Sequence, residues 1–207
     1  MRKRRISPKE GRNASGIQQT RKTVSVDRWR CITVEFGDAP AIPAGPRISQ
    51  VLDDITSERR WPAMARHLLQ DPGSTYFRQA LATYWITAGH HIRGQIGDER
   101  IVAELLRLVL PPYTGEAMVL YRGENALAYE SGRIGFAWTP DMDVARMFGR
   151  GLNASPGGGL LLKARFAPGG ILSGPNKYSL YLGERQYTTD PFAEVQIEVV
   201  ERFPASE

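Results

Sequence analysis

Within residues 76–93 the apolar side chains Phe77, Leu81, Tyr84, Trp85, Ala88 and Ile92 recur at steps of three and four. That spacing puts them on one face of a helix and predicts that the face is core. A second helix is predicted over 98–110, where acidic residues open the first turn to suit the helix dipole and Pro111-Pro112 close the segment. A third is expected upstream, over 62–69. After residue 117 the texture changes to short apolar runs separated by Gly and Pro, at 117–123, 134–139, 159–166, 169–173 and 193–200. These read as strands, with a helical segment over 141–148 between the second and third. Helices first and strands afterwards is the order of an α+β fold rather than of a parallel doubly wound sheet. No internal repeat is visible.

Upstream of the helices, 29–36 alternates well enough for a short strand, and 37–46 is a linker by its Pro and Gly content. Residues 1–23 carry too little apolar surface to offset the entropy of ordering them, which predicts a disordered arm. The remaining 24–207 suits one domain, helical over about 48–112 and strand-rich over about 117–203, and a monomer is expected.

Composition changes this picture in one respect. The hydrophobic fraction of 42% and charged fraction of 24% are ordinary for a globular protein. The net charge of +5, however, is unevenly spread: the first thirty residues hold ten basic side chains against Glu10 and Asp27, a balance of +8 that leaves −3 for the rest. The basic character therefore belongs to the N-terminal segment. Residues 1–30 read either as a salt-sensitive, sequence-blind nucleic-acid contact or as a solvated leader. Cys31 is the only cysteine, so an intrachain disulfide is excluded and a reducing, cytoplasmic setting is expected. No run approaches the roughly 20 apolar residues of a membrane span, nor is a secretory leader visible. His67, His90 and His91 lack a metal-ligand spacing, and no metal is expected.

Three short segments carry candidate chemistry. In Leu120-Tyr121-Arg122-Gly123-Glu124 an arginine ends an apolar strand, where its guanidinium could take phosphate and Gly123 would let a ligand approach the backbone. The same residues allow a plainer reading, an arginine paired with Glu124 or Glu130. In Gly135-Phe136-Ala137-Trp138-Thr139-Pro140-Asp141 the threonine is placed to cap the following helix, with Pro140 as its first residue and Asp141 and Asp143 in its first turn. Trp138 could stack on a flat ring or belong to the core. The third segment, Tyr181-Leu182-Gly183-Glu184-Arg185-Gln186-Tyr187-Thr188-Thr189-Asp190-Pro191, follows the flexible-looking stretch 173–177.

Taken together and in this order, the three segments resemble the arginine-specific type of ADP-ribosyltransferase, over roughly 117–200. That family carries an arginine on its first core strand in an L-Y-R-G-like context, here Leu120 to Gly123. A Ser-Thr-Ser-like strand leads into a short helix carrying A-x-x-F, here Ala137-Trp138-Thr139 with Ala145 and Phe148. A final Glu-x-Glu precedes apolar residues and a proline, here Glu184-Arg185-Gln186 with Pro191. The resemblance implies a helical N-terminal half packed on two mostly antiparallel sheets around an NAD cleft. NAD is implied as substrate, and an unidentified protein or other acceptor takes the ADP-ribose. Arg122, Gly123, Ala137, Trp138 and Thr139 would bind NAD, while Glu184 and Gln186 would occupy the catalytic positions. The sequence departs from the pattern twice, with Ala137 for the first serine and Gln186 for the second glutamate. Three functions stay open at this point: a mono-ADP-ribosyltransferase or NAD hydrolase, resident or delivered into another cell as a toxin or effector; a degenerate domain that binds NAD or a partner without catalysis; and a nucleic-acid-associated protein acting through its basic arm.

Overall fold

A computed structural model describes residues 47–205, all within the compact unit Ile32–Glu207. The expectations for the arm, for a strand at 29–36 and for a linker at 37–46 lie outside the described residues.

Four helices come first: α1 (Ile48–Ser57), α2 (Trp61–Leu68), α3 (Thr75–Ile96) and α4 (Glu99–Val109). The longest, α3, starts where Ser74 accepts a hydrogen bond from the Phe77 N–H at 3.2 Å and stops at Gly97, whose φ of 72° suits a residue without a side chain. Its buried face holds Phe77, Leu81, Trp85, Ala88 and Ile92, the predicted stripe with Tyr84 only half-buried. Asp98 caps α4 by accepting from Arg100 and Ile101, and the helix buries Val102, Ala103, Leu105, Leu106 and Val109. Full burial of each Leu or Val stabilises the fold by about 1.5–3 kcal/mol, which makes this face the anchor of the helical half. The helix α1, which buries Leu52 and Ile55, falls inside the helical part expected over about 48–112.

The strand-rich part contains β1 (Met118–Asn125), α5 (Ala126–Glu130), β2 (Ala137–Trp138), α6 (Met142–Arg150), β3 (Gly159–Phe166), β4 (Ile171–Ser173), α7 (Lys177–Tyr181), β5 (Tyr187–Thr189) and β6 (Ile197–Phe203). They form two three-stranded sheets, β1-β3-β6 and β2-β5-β4, in which every pair is antiparallel. The fold is thus α+β, a helical segment followed by two small antiparallel sheets. One core cluster joins them: Leu120, Leu160, Leu162 and Phe166 from the first sheet meet Trp138 and Ile171 from the second, with Trp138 edge-on to Phe166 at 5.0 Å. The helical half is tied on by polar as well as apolar contacts. Trp85 Nε1 donates to Thr188 Oγ1 at 3.2 Å, and Asn176 donates to the Ala82 carbonyl at 3.0 Å.

Three local expectations change. The run at 134–139 is a strand only at Ala137–Trp138, because Gly135 commits its N–H to the Glu124 carboxylate and its carbonyl to the Trp138 indole. The cap of α6 is Asp141, which accepts from Asp143 and Val144, and not Thr139. Thr139 cannot begin the helix because its own N–H and C=O are paired with Tyr121 at 2.9 and 2.7 Å. Finally, the stretch 173–177 is structured at both ends: Ser173 closes β4, and Asn176 caps α7 by accepting from Tyr178 and Ser179.

Candidate functional site

Alternation along β1 sends Leu120, Arg122 and Glu124 to one face and Tyr121 and Gly123 to the other. On the first face Arg122 and Glu124 form a buried ion pair, with side-chain exposures of 13% and 7%. Arg122 Nε donates to Glu124 Oε2 at 2.6 Å, and Nη1 donates to the Ala137 carbonyl at 2.6 Å. Glu124 is held in turn by the N–H groups of Asn125 and Gly135, each at 2.9 Å. Burial pushes its carboxyl up, but the Arg122 charge, its hydrogen bond and the two backbone donors outweigh that and hold it below the ordinary value. The plainer sequence reading of an Arg122–Glu124 pair is therefore what the side chains do. One part of the guanidinium stays free: Nη2 makes no hydrogen bond among the described residues.

Gly123 has a packing reason for its lack of a side chain. A Cβ there would collide with the Ala145 carbonyl and Gly149 N of α6, so the close approach it permits is to that helix. Trp138 is 2% exposed, packs on Phe166 and gives its N–H to Gly135. Ala137 is half-buried and pairs with Thr188. Thr139 is buried, and its hydroxyl accepts from the Asp141 N–H at 3.1 Å.

The third segment leaves α7 through a turn in which Gly183 has φ 75° and Arg185, unusually for a residue with a Cβ, has φ 46°. The N–H groups of Glu184 and Arg185 both reach the Ser179 carbonyl, at 3.0 and 3.2 Å. This turn leaves Glu184 half-buried, and burial raises its carboxyl above the usual range. Gln186 follows, half-buried and with no side-chain hydrogen bond among the described residues.

The strand pairing brings most of these positions together. Tyr121 bridges to Thr139, and Trp138 pairs with Tyr187, so the segments bearing Arg122, Thr139 and Gln186 lie side by side. Thr139 follows Trp138 and Gln186 precedes Tyr187, which sets both at the same end of that short ladder. Glu184 sits two residues earlier, on the turn. Gly123 is the exception, directed at α6.

A groove of about 310 Å³ opens on the helical side of the second sheet, between Trp85, Pro111, Tyr113, Ser173, Asn176 and Thr188. None of the seven sequence-derived site residues lines it, yet its lining residue Thr188 pairs with Ala137, whose carbonyl Arg122 holds. Sequence reasoning missed Trp85 and Thr188 as neighbours because 103 residues separate them. Gly135 stands at the head of the second segment, but its contacts with Glu124 and Arg122 carry no local signal. Among the described residues no three His, Cys, Asp or Glu side chains gather to hold a metal ion, and no helix is long and apolar enough to cross a membrane. Comparison with protein-family models, with curated proteins and with solved structures returns no match to this chain.

Proposed function

We propose that this chain is a mono-ADP-ribosyltransferase-like protein that binds NAD at the junction of β1, β2 and β5. One observation carries the reading: segments distant in sequence, each chosen for its chemistry, are neighbours in strand pairing through Tyr121–Thr139 and Trp138–Tyr187. Arg122 suits an anionic oxygen of the dinucleotide, because its Nη2 is unpaired while the rest of the guanidinium is fixed. The groove beyond Ala137 and Thr188 offers a space of ligand size, roughly the lower end of the usual 300–1,000 Å³ range.

Cleavage breaks the bond between nicotinamide and ribose. Nicotinamide leaves with the bonding electron pair, positive charge develops on the sugar, and an acceptor nucleophile or water closes the new bond to the anomeric carbon and loses a proton. A fixed negative charge beside the sugar is the strongest help a protein can give this step. Gln186 offers an amide oxygen to a ribose hydroxyl but no charge. Glu184 has the charge, on a half-buried turn two residues away.

That neutral Gln186 favours a second reading, in which the domain binds NAD and turns it over slowly or not at all. The two are separated by nicotinamide release from the parent, Gln186→Glu and Glu184→Gln. Gln186→Glu adds one charge with little change of volume and is expected to raise release by about 100- to 1000-fold over a low parental rate. A parent that is already brisk, with Glu184→Gln inactivating, would place the catalytic charge on Glu184. NAD binding without release from any of the three would establish the binding domain, and absence of NAD binding would refute both. The nucleic-acid reading rests on residues 1–30, outside the described residues.

A further inference from the structure

We propose that Glu124 and Gly135 are positioning residues that fix the Arg122 guanidinium so that its Nη2, which has no hydrogen-bond partner among the described residues, is left to receive an anionic oxygen. The inference rests on the reading of Arg122 as the anion-binding group of this site, and it names what holds that group in place.

An arginine has a long stem and many rotamers, so a guanidinium that must meet a phosphate gains from being held before the ligand arrives. Here three neighbours hold it. Glu124 Oε2 takes Nε, the Ala137 carbonyl takes Nη1, and the backbone of Gly135 lies against Nη2 and Cζ closely enough that a Cβ would overlap both. Glu124 is itself anchored, since its two oxygens accept from Asn125 and Gly135. Gly135 thus serves twice, as a donor to Glu124 and as the floor under Arg122.

Gly135 does not lie in the left-handed region, so its backbone would accept another residue. A Cβ there would instead displace the Arg122 guanidinium from its present place. Stability alone does not account for the arrangement either. A buried ion pair can usually be exchanged for apolar side chains of similar volume with little loss, and this pair leaves Nη2 without a protein partner among the described residues. A preset charged donor with one free edge is what anion binding needs, because no reorganisation is then required on binding.

The test uses the full chain and titration calorimetry with two separate probes, NAD and inorganic pyrophosphate. Four variants are compared with the parent: Glu124→Gln, Gly135→Ala, Arg122→Met, and Arg122→Met combined with Glu124→Gln. Urea midpoints establish that each is folded at the titration temperature. Glu124→Gln and Gly135→Ala are each expected to weaken both probes by about tenfold or more, as loss of one charge-assisted contact would. In the Arg122→Met background Glu124→Gln should leave affinity unchanged. A role confined to folding would lower affinity equally with and without Arg122, and that result overturns the proposal. So does parental affinity in Glu124→Gln, whose near-isosteric change keeps the test valid should Gly135→Ala fail to fold. Pyrophosphate binding with this mutational pattern but no NAD binding would refute the proposed function and leave the positioning role standing. NAD binding indifferent to Glu124 and Gly135 would do the reverse, and binding of neither probe would overturn both.

Discussion

Replacing Arg122 by Met should be far more damaging than replacing both members of its pair. The single change leaves Glu124 buried with a negative charge and only the N–H groups of Asn125 and Gly135 to stabilise it. An uncompensated buried charge of this kind costs about 3–5 kcal/mol. For a chain of this length each kcal/mol moves the thermal midpoint by roughly 2–4 °C, so a fall of about 6–20 °C is expected. Adding Glu124→Gln removes the stranded charge while Met keeps the stem volume, and should return the protein to within about 1–2 kcal/mol of the parent. The pH dependence has a definite sign. Glu124 is held below its ordinary value near 4.5, so its contribution is complete above that pH and is lost as pH falls through the lower folded value. Without Arg122 burial prevails and the carboxyl moves up, so the deficit of Arg122→Met should shrink in acid. Urea unfolding of the three proteins at neutral and acid pH measures all of this. A single variant within about 1 kcal/mol of the parent, or a double variant no better than the single, would refute the assignment of Glu124 as a buried charge dependent on Arg122. The same measurement guards the ligand experiments, since weak NAD binding by Arg122→Met means nothing if the variant is unfolded.

Gly123→Ala places a methyl group against backbone atoms of α6 that cannot swing aside, and should cost about 2–3 kcal/mol by thermal unfolding; a loss under about 0.5 kcal/mol would show that α6 yields freely. Asp141→Ala should cost about 1 kcal/mol and Asp141→Asn much less, since asparagine keeps the accepting oxygen; equal effects would place the cap of α6 elsewhere. Glu184 has the opposite sign to Glu124: its carboxyl is raised by burial, so the folded state favours the proton and loses stability as pH rises through the ordinary value of about 4.5 to the raised one. Glu184→Gln should therefore gain on the parent between acid and neutral pH, and parallel urea midpoints across that range would count against the buried placement.

The helices α2, α3, α4 and α6 and the long strands were legible because their signals are local. The 3.6-residue stripe of α3, the acidic start and Pro-Pro end of α4, and the apolar run that became β3 each announce themselves within one element. What failed were positions whose conformation is decided by a partner far along the chain. Thr139 has the chemistry of a cap, but Tyr121 claims its backbone and moves the cap to Asp141. The two-residue β2 and three-residue β5 are too short to show a period, and they exist because each has the other to pair with.

The site divides along the same line. Strand-end residues with suitable chemistry could be picked out from the sequence, and pairing does set Arg122, Thr139 and Gln186 on adjoining segments. Which atoms of Arg122 remain available is a different kind of fact. It depends on Glu124 two residues away, on the Ala137 carbonyl fifteen residues away and on the bare backbone of Gly135, none of which any spacing rule connects. Alternation does place residues 122 and 124 on one face of a strand, where opposite charges buried together will pair before any ligand arrives. An arginine two residues from a glutamate on a buried strand face is therefore first a structural pair. It becomes a candidate anion site only where, as at Nη2, the pair leaves a donor unspent.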